Sequence, residues 1–168
     1  MQEQSETLSP ALPTDVEQLA LEVLRTAVAT DQTLATAESC TGGLLASLLT
    51  DVEGCGHCFD RGFVSYTDDS KEDLLGVPGD VLERFGAVSE AVAGKMVKGA
   101  LSRSDANVAV AITGYAGPGG PEAEAGLVYI AVARRGGSAR IVEHHFGNTG
   151  RGEVRLSSLR AALEMLLG

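Results

Sequence analysis

Apolar positions recur along this chain with two different periods, and the switching between them lays out the elements. Val16, Leu19, Ala20, Val23, Leu24 and Ala27 follow at helical spacing, with Thr14 or Asp15 placed to cap the helix. Residues 33–37 (TLATA) then predict a short buried strand, and the apolar run 44–49 a second helix. Residues 62–66 (GFVSY) predict the next strand. Thr67 or Asp68 caps a helix reaching Leu75, where Gly76 stops it. Val77-Pro78 opens a short helical piece to Phe85, and Ser89 caps the helix that holds Val92, Met96 and Ala100. Residues 107–113 (NVAVAIT) predict a buried strand, followed by a glycine-, proline- and acid-rich loop over 114–125. Residues 127–133 and 139–146 predict two strands joined as a hairpin through 134–138. The last helix, 152–167, carries Leu156, Leu159, Leu163 and Leu166 on one face. Strands alternating with helices, plus one hairpin, predict an α/β sandwich with a mixed sheet.

Residues 1–13, interrupted by Pro10 and Pro13, are expected to form a loose tail, leaving 14–168 as one domain. Hydrophobic residues make up 44% of the 168 and charged residues 21%, which suits a packed core and argues against disorder. The balance of 13 Lys+Arg against 23 Asp+Glu gives a net charge of −10. Such a chain repels a phosphodiester backbone or an anionic membrane, so neither nucleic acid nor membrane is the expected partner. Aromatic content of 4% without Trp leaves little for base stacking. There is no apolar run of the roughly 18 residues that a membrane span needs. The polar N-terminus lacks a signal-peptide pattern, so a cytoplasmic location is expected.

Candidate chemistry comes from a short inventory: three His, three Lys, three Tyr and three Cys. The segment 37–43 (AESCTGG) sits where a strand gives way to a helix. Ligands bind at such strand ends, and the helix N-terminus is expected to offer unpaired amides to an anion. Ser39 there suits either a helix cap or a nucleophile with a ready oxyanion hole. A nucleophilic Ser needs a base. His57, His144 and His145 have no orienting acid nearby in sequence. Lys95 and Lys98 fall on an amphipathic helix as solvated residues. Lys71 lies one helical turn beyond the strand that ends at Tyr66. Both a Ser-His-Asp and a Ser-Lys arrangement remain open on these residues.

The loop 113–120 (TGYAGPGG) has neither a Walker Gly-Lys-Ser/Thr nor a dinucleotide fingerprint. It suits a backbone cradle for phosphate or a developing anion, or a plain connection. Cys55-Gly56-His57-Cys58 has thiol-exchange spacing but no flanking strand and long helix, and no second Cys pair for zinc. Cys40, next to Ser39, is the thiol expected to show incidental reactivity. Arg151 and Arg155 stand one turn apart at the start of the last helix, against its dipole. They form either surface ion pairs or an anion clamp.

Taken together, AESCTGG (37–43), the segment 59–76, GAVSE (86–90) and TGYAGPGG (113–120) resemble the CinA C-terminal domain family, from about residue 14 to the end. Standalone members are nicotinamide mononucleotide deamidases of the PncC type. The resemblance implies a three-layer α/β/α sandwich with a mixed, mostly parallel sheet of about five strands. It implies hydrolysis of nicotinamide mononucleotide to nicotinate mononucleotide and ammonia, with Ser39, Tyr66 and Lys71 catalytic. Backbone around Thr41, Gly42 and Gly43, or around Thr113 and Gly114, would hold the oxyanion. Gly117, Gly119, Gly120 and Arg151 would hold the phosphate. The implied partner is a small nucleotide substrate, in a homo-oligomer. Full-length members carry an N-terminal nucleotide-pyrophosphatase-like domain that this sequence lacks, so no cofactor and no metal are expected. The sequence departs from the family in Tyr115, where a small aliphatic residue is usual, in Cys55 and Cys58, and in a lengthened Gly147-Asn148-Thr149-Gly150-Arg151. Two other function classes stand beside this one. They are a non-catalytic nucleotide-binding module linked to competence or DNA damage, and a thiol redox protein using Cys55 and Cys58.

Overall fold

A computed structural model describes residues 12–168. The expected tail therefore falls almost wholly outside the described residues. The elements run α1 (Thr14–Ala29), β1 (Leu34–Glu38), α2 (Leu44–Thr50), β2 (Phe59–Val64), α3 (Asp68–Leu75), α4 (Gly79–Phe85), α5 (Glu90–Ser102), β3 (Val108–Gly114), β4 (Leu127–Arg134), β5 (Ala139–His145) and α6 (Arg151–Leu167). A single 3-10 turn, Gly56–Cys58, precedes β2.

The sheet order is β2-β1-β3-β4-β5. β1 pairs in parallel with both β2 and β3, and β3–β4 and β4–β5 are antiparallel. Four of the five strands thus point the same way, with β4 reversed.

The pleat of the sheet sorts its side chains by size. One face presents Leu34, Val108, Val110, Ile112, Val128 and Ile130 to α1, α2 and α6. The other presents Ala35, Ala37, Ala109, Ala111, Ala131 and Ala133 to Val92, Met96 and Val97 of α5 and to Leu75 of α3. Alternate positions along a strand face opposite ways, so the two sets come from the same strands. The result is a three-layer α/β/α sandwich. On the alanine face the layers sit close. A Cβ on Gly99 of α5 would stand 2.0 Å from the Leu75 carbonyl oxygen, so only glycine fits that crossing.

Side-chain caps set the starts of two of the six described helices, α3 and α5. The Thr67 hydroxyl accepts from the Ser70 amide, the Ser70 hydroxyl oxygen accepts in turn from the Thr67 amide, and left-handed Gly76 ends α3. Ser89 accepts from the Val92 amide and starts α5. Two expectations need correcting. Pro13 takes the cap position of α1 and neither Thr14 nor Asp15 caps it; Asp15 instead pairs with Arg160 of α6. The second strand begins at Phe59 rather than Gly62, because its first half is an edge with exposed or half-buried Asp60 and Arg61 that carries no apolar alternation.

From β1 the chain passes over one face through α2 to β2, then over the other through α3, α4 and α5 to β3. The carboxyl ends of β1, β2 and β3 therefore lie together at one edge of the sheet, the place where such sheets bind ligands. Among the described residues no helix is long and apolar enough to cross a membrane.

Candidate active site

Ser39 is the first residue beyond β1, and its amide is still tied into the sheet by donating to the Ile112 carbonyl at 3.0 Å. The chain then turns sharply. Gly42 and Gly43 both take positive φ, 60° and 92°, and a Cβ on Gly43 would press to 3.1 Å from Val64. This pair of glycines lets the chain reverse from strand into α2 within a few residues.

Lys71 reaches into this corner from α3. It is 1% exposed, and its Nζ donates to Ser39 Oγ at 3.0 Å, to the Ser65 carbonyl at 2.9 Å and to the Tyr66 carbonyl at 3.3 Å. No carboxylate among the described residues lies within ion-pair distance of it. Burial therefore pulls its pKa below the ordinary lysine range, with Asp68 and Cys40 opposing weakly. The three contacts have a definite meaning for the neutral amine. Two N–H bonds go to the two backbone carbonyls, and the lone pair is left facing the Ser39 hydroxyl. The arrangement can thus accept the serine proton.

Around this pair lies a cleft of about 300 Å³, lined by Ser39, Tyr66, Lys71, Thr113, Tyr115 and Arg151 among others. Arg151 Nη2 donates to the Tyr66 hydroxyl at 3.1 Å across the mouth. One turn on, Arg155 Nη2 donates to the Thr41 carbonyl at 2.9 Å and pins the turn after Ser39 from α6. The amides of Cys40, Thr41, Ala116 and Gly117 have no partner among the described residues.

A family model for the CinA C-terminal domain matches residues 16–168. The chain belongs to this family. It is 43% identical over 133 residues to the nicotinamide-nucleotide amidohydrolase PncC of Enterobacter agglomerans, covering 78% of this chain and 80% of that protein. To a CinA-like protein of Akkermansia muciniphila it is 55% identical over 112 residues, 66% of this chain. The chain spans 27% of that relative and 33% of a CinA-like protein of Chlorobaculum tepidum. The solved structure of the competence/damage inducible protein CihA from Agrobacterium tumefaciens superposes with a TM-score of 0.90 at 48% identity, covering 93% of this chain and 96% of that one.

Within this CinA-domain fold the residues singled out in the sequence separate into two groups. Ser39, Tyr66, Lys71, Thr113, Gly114, Gly117, Gly119 and Arg151 share the cleft, whereas Thr41, Gly42, Gly43 and Gly120 do not line it. Thr113 has its hydroxyl turned to the Ala87 carbonyl at 2.8 Å. Tyr66 meets Lys71 through its backbone carbonyl, while its phenol engages Arg151.

The expected free amides at the start of α2 are a correction. Glu38, fully buried, accepts from the Leu45 and Ala46 amides at 2.9 Å each, so that helix end is already satisfied by the protein's own carboxylate. The incidental reactivity expected of Cys40 is a second correction. Burial pushes its thiol up to about 11, so the nucleophilic thiolate is suppressed. Cys58 is packed in the core and its thiol is also raised by burial.

Glu38 and Arg155 are the residues whose part in the site exceeds what the sequence suggested. Glu38 abuts Ser39, but its bonds run to residues seven and eight positions on, a span no local motif encodes. Arg155 had a signal in its unfavourable place near a helix start.

Proposed function

We propose that this chain is an amidohydrolase that converts nicotinamide mononucleotide to nicotinate mononucleotide and ammonia. The observation that carries this reading is the buried, carboxylate-free Lys71 Nζ at 3.0 Å from Ser39 Oγ. The amidohydrolase name of the Enterobacter agglomerans relative supplies the substrate.

Ser39 Oγ attacks the carboxamide carbon while its proton passes to neutral Lys71. The oxyanion that forms takes a hydrogen bond from the unpartnered amide of Cys40, which lines the cleft beside Ser39. Lys71, now protonated, returns the proton to the departing nitrogen, and ammonia leaves. Water then attacks the Ser39 ester with Lys71 again as base, releasing the carboxylate and restoring the hydroxyl. The pyridinium charge of the substrate, brought beside Lys71, favours its neutral form. Arg151 and the amides of Ala116 and Gly117 are the groups proposed to hold the phosphate.

The test is ammonia release from nicotinamide mononucleotide by the purified protein. Wild type turns over, and Ser39→Ala loses at least about a thousandfold in kcat. Turnover surviving Ser39→Ala removes the nucleophile from this scheme. Binding without ammonia in wild type identifies a nucleotide-binding module instead.

A further inference from the structure

The cleft is chemically one-sided. The chain carries 23 Asp and Glu, yet among the described residues none lines the cleft, whose basic side chains are Lys71 and Arg151. A substrate bearing a cationic ring thus meets no counter-carboxylate there. What the lining offers a cation is aromatic. Two of the three tyrosines in the chain, Tyr66 and Tyr115, stand in it.

These two are held differently. Tyr66 is 62% exposed, with its hydroxyl committed to Arg151, whose positive charge opposes a second cation on that ring. Tyr115 is half-buried, and its backbone is fixed on both sides. Its amide donates to the Leu127 carbonyl at 2.9 Å, and its carbonyl accepts from the Gly126 amide at 2.8 Å. Gly119 lies against the ring, where a Cβ would stand 3.5 Å from Cδ1 and 3.7 Å from Cε1. The backbone that carries this ring is thus tied to the sheet, and an aromatic face offers a cation its negative quadrupole.

We propose that Tyr115 is a specificity-determining residue whose ring face binds the cationic pyridinium of the substrate and selects it over a neutral ring of the same shape. This rests on the proposed nicotinamide-nucleotide substrate and adds the group that reads the charge of its ring. Cation–π attraction in a partly desolvated site discriminates by about 3- to 30-fold.

The experiment compares two ligands by calorimetry on the Ser39→Ala protein, which holds them without turnover. One is nicotinamide mononucleotide. The other is its neutral C-nucleotide counterpart, with a carbamoylphenyl ring in place of the carbamoylpyridinium. Expected is a preference for the cation that Tyr115→Phe retains and Tyr115→Leu reduces to near parity, both variants melting with the parent. In the Ser39-containing protein, Tyr115→Leu raises KM more than it lowers kcat. An unchanged preference in Tyr115→Leu overturns the inference, as does its loss in Tyr115→Phe or the absence of binding to either ligand. Ammonia release by wild type reports separately on the parent reading. A preserved charge preference without ammonia keeps the ring site and discards the hydrolysis.

Discussion

At the scale of the residue, Lys71 carries the account. Its neighbours in sequence, Asp68, Asp69, Ser70, Glu72 and Asp73, suggest a solvated helix, and nothing local says that this one side chain points inward. Its burial follows from where α3 lies after β2, which is a tertiary fact. The ionisation of Lys71 couples to folding with a definite sign. Its pKa is lower in the folded state than in the unfolded chain, so the unfolded chain binds more protons between the two values. Stability therefore carries the full penalty below the folded pKa and recovers as pH rises toward the ordinary lysine value. Lys71→Met removes that dependence. Urea unfolding of both proteins at about pH 6 and about pH 10 should show the wild type gaining relative to the variant as pH rises.

At the scale of the element, the short helix α2 depends on one acid. Its seven residues start from a left-handed glycine with no side-chain cap, and Glu38 alone satisfies the Leu45 and Ala46 amides. Glu38→Gln leaves one acceptor and sets an amide donor against the second N–H. The expected cost is about 1–3 kcal/mol in denaturant unfolding. The turn bearing Ser39 should loosen with it, lowering kcat beyond what the stability loss explains. Helices with side-chain caps at their starts, α3 and α5, were legible in sequence because Thr67 and Ser89 announce them. The apolar run also marked the start of α2 at Leu44, but not its cap, because the acid that satisfies it lies in the preceding strand. The first half of β2 was hidden for a different reason, its edge position having removed the alternation that marks a strand.

At the scale of the whole molecule, the sheet gathers residues that lie far apart in the chain. Ser39, Lys71, Tyr115 and Arg151 come from four separate connections and meet because β1 and β3 end side by side at the switch in chain direction. The fold class was within reach of the element pattern, whereas the pairing of Ser39 with Lys71 was implied only by the resemblance to the CinA C-terminal domain family. The partner of the Tyr66 phenol and the work of Arg155 were reached by neither, since α6 returns from the other end of the sequence to supply both guanidinium groups. The net charge of −10 also takes on a local meaning, because among the described residues no acid lines the cleft while Lys71 and Arg151 do. If Arg151 holds the phosphate, Arg151→Ala should raise KM for nicotinamide mononucleotide about 10- to 100-fold with kcat little changed. The riboside, lacking phosphate, should respond far less. The most direct measurement of the central claim is kcat/KM for ammonia release from nicotinamide mononucleotide between about pH 5 and about pH 10. A neutral Lys71 acting as base predicts a rate that climbs with pH and levels off at a midpoint below the ordinary lysine range. A rate that stays flat or falls across that range, or no ammonia at any pH, contradicts it.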